Sequence, residues 1–230
     1  MGRDVRVVLV DEEVIVGVST LAHDEVTLSA LAAAAGMRQE ERDGLLPHEE
    51  LWDAIRSVQR EQRGNGGGPG EAYAVVVTVL SLKDGRGKTR LVTDLAVALS
   101  LITRQKVAVI DLDTVRGGVA DLLGLRPERG ARELAAEIDR ADDEALLRLF
   151  LRHESGVMVL AAGGSQASGL VITGEQVRKL VQRLAARFDY VLIDGPLAID
   201  DTMLTAAEIS TLILVLTDIE KGEAVEGGGM

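Results

Sequence analysis

Ala74-Val75-Val76-Val77-Thr78-Val79-Leu80 runs through Ser81 and Leu82 into Lys83-Asp84-Gly85-Arg86-Gly87-Lys88-Thr89, after which Leu91, Val92, Leu95 and Leu99 fall on one side of a helix. An apolar run of this length reads as a strand buried on both faces, and the glycines between it and the helix mark a tight turn. The pattern repeats downstream. Strands are expected at Val107 to Ile110, Val157 to Ala161, Tyr190 to Ile193 and Thr211 to Leu216, with helical stretches between them. The clearest helix carries Val177, Leu180, Val181, Leu184 and Phe188 on a single stripe. Strands alternating with helices predict an α/β fold, a mostly parallel doubly wound sheet whose ligands sit at the carboxyl ends of the strands.

The turn itself has the chemistry of an anion site. Gly85 and Gly87 let the backbone curl so that successive N–H groups point inward, and the helix that begins at Lys88 adds the positive end of its dipole. Lys88 has the reach to meet the β- and γ-phosphates of a nucleotide, and the Thr89 hydroxyl suits the magnesium ion that bridges them. The phosphate-binding set is thus Gly85, Arg86, Gly87, Lys88, Thr89 and Arg90. A glycine turn between strand and helix can also be purely structural; the Gly-Lys-Thr run in this setting favours phosphate.

Two further strands end in carboxylates. Val107 to Ile110 runs into Asp111-Leu112-Asp113, and Tyr190 to Ile193 into Asp194. All of them emerge at the edge of the sheet where the glycine turn emerges. Solvated acidic caps are the alternative reading of each; their order along the chain favours a metal site with Thr89 and Asp194, and with one of Asp111 and Asp113 near the metal and the other orienting water. His153 has no serine or second histidine at useful spacing and reads as structural, as do His23 and His48. Trp52, Phe150 and Phe188 read as core residues.

Composition removes other classes. The 230 residues contain no cysteine, which excludes disulfide frameworks, cysteine-ligated zinc and thiol catalysis and fits a reducing cytoplasm. Thirty-seven acidic against twenty-five basic residues leave a net charge of −12, which disfavours binding to a nucleic-acid backbone. No apolar run approaches the roughly 20 residues of a membrane span. The glycine-rich run Arg63-Gly64-Asn65-Gly66-Gly67-Gly68-Pro69-Gly70 breaks the chain. Residues 1–62 are expected to form a small α/β module with a strand at Val5 to Val10 and helices at Glu25 to Ala35 and His48 to Gln62; 63–72 form a linker, and 73–230 the main domain.

From about Ala74 to Leu216 the chain resembles the deviant Walker A ATPases of the MinD/ParA family. Lys83 stands where that family has its extra lysine, Asp111-Leu112-Asp113 with Gly117 is similar to its Walker A-prime motif, and Tyr190 to Asp194 to its Walker B strand. Two positions depart from the pattern: Asp84 replaces a usual glycine and Arg90 a usual Thr or Ser. Leu147, Leu149 and Arg152 to Ala162, together with Ala185, Arg187-Phe188-Asp189-Tyr190 and Asp113 to Leu123, resemble the CpaE/TadZ pilus-assembly branch. The resemblance implies ATP and Mg2+ as ligands and an ATP-dependent homodimer in which Lys83 reaches the partner's phosphates. It also implies hydrolysis assisted by Asp113, and pilus-assembly or secretion proteins as partners at a cell pole. It further implies a shortened receiver-like module over 1–62, a C-terminus shorter than in relatives, and membrane association that is at most indirect. A nucleotide-binding scaffold without turnover is the alternative, motivated by Asp84 and Arg90. A ParA-like DNA-partition ATPase is a third reading, weakened by the acidic charge.

Overall fold

The computed structural model describes residues 5–11, 14–21, 54–60, 74–81, 87–114, 117–163 and 172–216. The expected helix at Glu25 to Ala35, His23, His48, Trp52, the linker at 63–72 and the chain after Leu216 lie outside the described residues.

The described chain forms strands β1 (Val5–Asp11) and β2 (Val14–Leu21), a helical turn pair α1 (54–60), and then β3 (Val75–Ser81), α2 (Lys88–Thr103) and β4 (Val107–Asp111). Short helices α3 (Val119–Leu122), α4 (Ala131–Glu137) and α5 (Asp143–Leu147) lead to β5 (Leu151–Arg152) and β6 (Met158–Leu160). The series closes with α6 (Gly174–Ala185), β7 (Tyr190–Asp194), α7 (Asp201–Glu208) and β8 (Leu212–Leu216). One eight-stranded sheet collects the strands in the order β2-β1-β8-β3-β7-β4-β6-β5. Every pairing from β1 to β6 across this order is parallel; β2 and β5, at the two edges, run antiparallel to their neighbours.

β3, β4, β7 and β8 are buried along their whole length because both faces are covered. Alternation sorts their side chains, as the two-residue period of a strand requires. Val75, Val77, Val79, Val107, Val109, Leu192, Leu212 and Leu214 join Val92, Leu95, Ala96 and Leu99 of α2 on one face. Val76, Ala108, Ile110, Val191 and Ile193 meet Leu134, Leu146, Val177, Leu180, Val181, Leu184 and Ala206 on the other. Helix α6 starts where a reciprocal cap places it: Thr173 accepts from the Gln176 amide, and the Gln176 side chain accepts from the Thr173 amide. Each of its four buried apolar side chains contributes about 1.5–3 kcal/mol of burial. Phe150 is buried and Phe188 packs against the same core, as the sequence pattern anticipates.

The front of the chain is joined to this sheet. β1 hydrogen-bonds in parallel to β8, with Arg6 opposite Leu212 and Val10 opposite Leu216. Ile55 and Val58 of α1 are buried in the same core as α2, and the Gln59 side-chain amide donates to Gln105 at 2.7 Å. β2 was not expected from the sequence. Among the described residues no helix is long and apolar enough to cross a membrane.

Candidate functional site

Helix α2 begins immediately after Gly87, whose φ of +79° is the left-handed conformation and whose carbonyl accepts the first helical bond, from Leu91 at 2.8 Å. A Cβ at Gly87 would also stand 3.3 Å from the Leu216 side chain. Among the described residues no side chain caps this helix start, and no acidic residue sits in its first turn. The leading amides of this sixteen-residue helix suit an anionic acceptor.

Lys88 is only 1% exposed and Asp194 0%. The lysine ammonium donates to Asp194 Oδ1 at 2.7 Å and to the Gly195 carbonyl, while the Thr89 hydroxyl donates to Asp194 Oδ2 at 2.8 Å. One carboxylate therefore holds the first two residues of α2. It can do so because β7 and β3 are direct neighbours, with Asp194 in register with Val79 near the end of β3. Gly195 must be glycine: a Cβ there would meet the Leu80 side chain at 2.5 Å and the Val79 carbonyl at 2.9 Å.

Asp111 ends β4 in register with Asp194. Its carboxylate accepts three backbone N–H groups, from Asp113 at 3.1 Å, Gly118 at 3.0 Å and Val119 at 3.2 Å. Burial and, next, the Asp194 charge push its acid from an ordinary 3.8 up to about 6, against the pull of the Gly118 and Val119 amides and of Lys88. Asp194 is pushed upward by burial as well; Lys88 and Thr89 oppose this and the Asp113 charge reinforces it. Asp113 is buried. It heads a turn closed by the Gly117 amide on its carbonyl at 2.7 Å, with Gly117 at a φ of +54°.

The structure thus brings Lys88, Thr89, Asp111, Asp113 and Asp194 together at the carboxyl ends of β3, β4 and β7. Among the described residues no three or more His, Cys, Asp and Glu side chains form a ready-made metal cage. A divalent ion here needs oxygens from Thr89 and from its ligand, which is how magnesium is commonly held. Arg90 stands apart from this cluster: it is exposed and its guanidinium pairs with Asp94 at 2.6 Å on the outer face of α2. Lys83, Gly85 and Arg86 lie outside the described residues.

No family model matches the chain. The septum site-determining protein MinD of Synechocystis is 30% identical over 147 residues, which is 63% of this chain and 53% of that protein. A ParA family ATPase from Chlorobium tepidum superposes with a TM-score of 0.55 at 20% identity, over 61% of this chain and 59% of that one. The MinD protein of Pyrococcus horikoshii, solved with Mg-ADP, gives 0.52 at 20% identity, over 63% of this chain and 58% of that one.

Over part of its length the chain is similar in sequence to MinD, and it shares the fold of the MinD and ParA proteins.

It spans about half the length of the MinD proteins it matches. The site carries contacts that its motifs do not announce. The Gly195 carbonyl receives Lys88, and the only signal for it is a glycine directly after a strand-terminal aspartate. Arg132 donates to the Thr114 carbonyl from α4, a contact that no spacing rule points to. Ser155 also corrects a sequence reading, since its hydroxyl lies 2.8 Å from His153 Nδ1. That pair sits in the tight turn before β6, with the Gly156 amide on the His153 carbonyl, at the end of the sheet opposite Asp111, and is structural.

Proposed function

We propose that the chain is an ATP-binding, ATP-hydrolysing dimerisation switch that localises pilus-assembly or secretion machinery, of the CpaE/TadZ kind. The observation that carries the nucleotide part is the buried Lys88–Asp194–Thr89 constellation beside the uncapped start of α2. A buried lysine is costly, and its position at the head of a sixteen-residue helix suits a phosphate chain more than it suits stability. The MinD relatives support this reading.

In this reading Gly85, Arg86 and Gly87 wrap the phosphates, Lys88 pairs with them, and Arg90 lies at their margin. Thr89 and Asp194 would hold a magnesium ion, which would supply charge neutralisation at the phosphates. Asp111, with its oxygens committed to backbone amides, stands behind the ion's ligands. Asp113 orients a water toward the terminal phosphorus; the bond to the β-phosphate oxygen breaks, giving ADP and inorganic phosphate. Lys83 reaches the phosphates of a second copy in a homodimer. Residues 1–62 serve as a partner-binding module attached to the ATPase sheet, with action at a cell pole and no specific nucleic acid.

The second reading is a scaffold that binds nucleotide without turnover. Arg90 favours it, because a bulky cation engaged with Asp94 occupies the position of a small hydroxyl. Phosphate release from the purified protein with Mg-ATP separates the two. Turnover abolished by Lys88→Ala supports the switch, and nucleotide binding without release supports the scaffold. Sizing with and without ATP, for wild type and Lys83→Ala, tests the dimer.

A further inference from the structure

The turn that carries Asp113 is held from within and from outside. Within it, the Gly117 amide closes on the Asp113 carbonyl, and Asp111 collects the amides of Asp113, Gly118 and Val119. From outside, one side chain on a different layer reaches it: the Arg132 guanidinium donates to the carbonyl of Thr114, the residue next to Asp113. A cationic donor on a carbonyl makes a stronger bond than a neutral one.

The rest of the fold aims that side chain. Helix α4 starts against the end of β6, where the Ala131 amide donates to the Ala161 carbonyl at 2.8 Å. Gly130 permits the approach, since a Cβ there would lie 2.3 Å from the Ala161 oxygen. The Glu133 carboxylate accepts from the Gly130 amide at 2.6 Å and fixes this first turn. The Arg132 stem then crosses Gly163, where a Cβ would stand 3.3 Å from Arg132 Cδ. Two glycines thus clear a path from α4 to the Asp113 turn.

We propose that Arg132 is a positioning residue for Asp113: it locks the turn after β4 to the end of β6, so that Asp113 faces the phosphate site in one orientation. The catalytic consequence rests on the nucleotide reading above. Lys88 and Thr89 belong to α2 and not to this turn, so loosening it leaves their phosphate contacts in place and shifts chiefly Asp113. Misplacement by a fraction of an ångström lowers rate without changing ground-state affinity.

The test uses the full chain as wild type, Arg132→Met, which keeps the stem and removes the donor, and Arg132→Lys, which keeps a shorter donor. Amide hydrogen exchange is followed in peptides covering 111–123 and, as a remote reference, 174–185. Arg132→Met is expected to speed exchange in 111–123 about tenfold with no change in 174–185, and Arg132→Lys to restore part of the protection. ADP affinity and KM for ATP stay within about twofold while kcat falls about tenfold. Unchanged exchange in 111–123, or equal acceleration in both peptides, overturns the assignment. So does a large loss of ADP affinity, which would place Arg132 at the phosphates. If wild type itself binds no ADP, the nucleotide reading fails, and the exchange data alone decide whether Arg132 holds the turn.

Discussion

Lys88 and Asp194 form an ion pair 2.7 Å apart with both side chains sealed from solvent, at 1% and 0% exposure. Removing one partner leaves a buried charge without a counter-charge, which costs far more than the pair contributes over an apolar replacement. Asp194→Ala is therefore expected to destabilise the nucleotide-free protein by about 3–5 kcal/mol. The double variant Lys88→Met with Asp194→Leu should lose clearly less. Urea unfolding of the three proteins checks this; a double variant as unstable as Asp194→Ala would contradict it.

Asp111 gives the nucleotide-free protein a pH dependence of defined sign. Its acid lies at about 6 in the folded chain against 3.8 ordinarily, so between those values the folded state keeps a proton that the unfolded chain has lost. Stability from this group falls as pH rises, by about 1.4 kcal/mol between pH 5 and 7.5, and is flat above that. The difference in unfolding free energy between wild type and Asp111→Asn, measured by urea titration across this range, should shrink in favour of the variant by that amount. A difference independent of pH would show that Asp111 is already ionised at pH 5.

Two glycines offer a contrast in what a methyl group meets. At Gly130 a Cβ would overlap the Ala161 carbonyl at 2.3 Å and the Gly163 backbone at 2.8 Å, whereas at Gly124 nothing lies within 4 Å and only a φ of +66° opposes it. Gly124→Ala is expected to cost about 1 kcal/mol of backbone strain. Gly130→Ala should cost more, about 1–3 kcal/mol or above, because main chain has to move. Thermal unfolding of both variants checks the order.

Ile55 in α1 is fully buried against the core that α2 shares. Ile55→Ala should lower the stability of the whole unit by about 2–5 kcal/mol in a single unfolding transition. Two separate transitions, with only one shifted, would mean that the front of the chain folds independently of the sheet.

The strand–turn–helix part of this arrangement was legible because its signals are local. A seven-residue apolar strand, a glycine turn and a periodic helix fix β3 and α2 without reference to anything distant, and strand-terminal aspartates announce the ends of β4 and β7. The front of the chain was harder to read. Its Gly-rich run at 63–70 suggests a boundary, yet β1 pairs with β8, some 200 residues away in sequence, and such pairing leaves no trace in either strand alone. β2 carries no turn dipeptide before it to mark a hairpin. At the site, Arg90 was assigned by its place in the motif, but its position on the outward side of α2, four residues before Asp94, gave it a different neighbour. Arg132 and Gly195 became visible only once the ends of β4, β6 and β7 were adjacent in space.

The nucleotide reading is tested most directly by calorimetric titration of Mg-ADP into wild type and Lys88→Met, with circular dichroism establishing that the variant is folded. Saturable binding at one site per chain is expected for wild type, weakened at least about tenfold in the variant by loss of a charge-assisted bond. Absence of binding to the folded wild-type protein at millimolar Mg-ADP, or equal affinity in the two proteins, would contradict the assignment of the α2 start as a phosphate site.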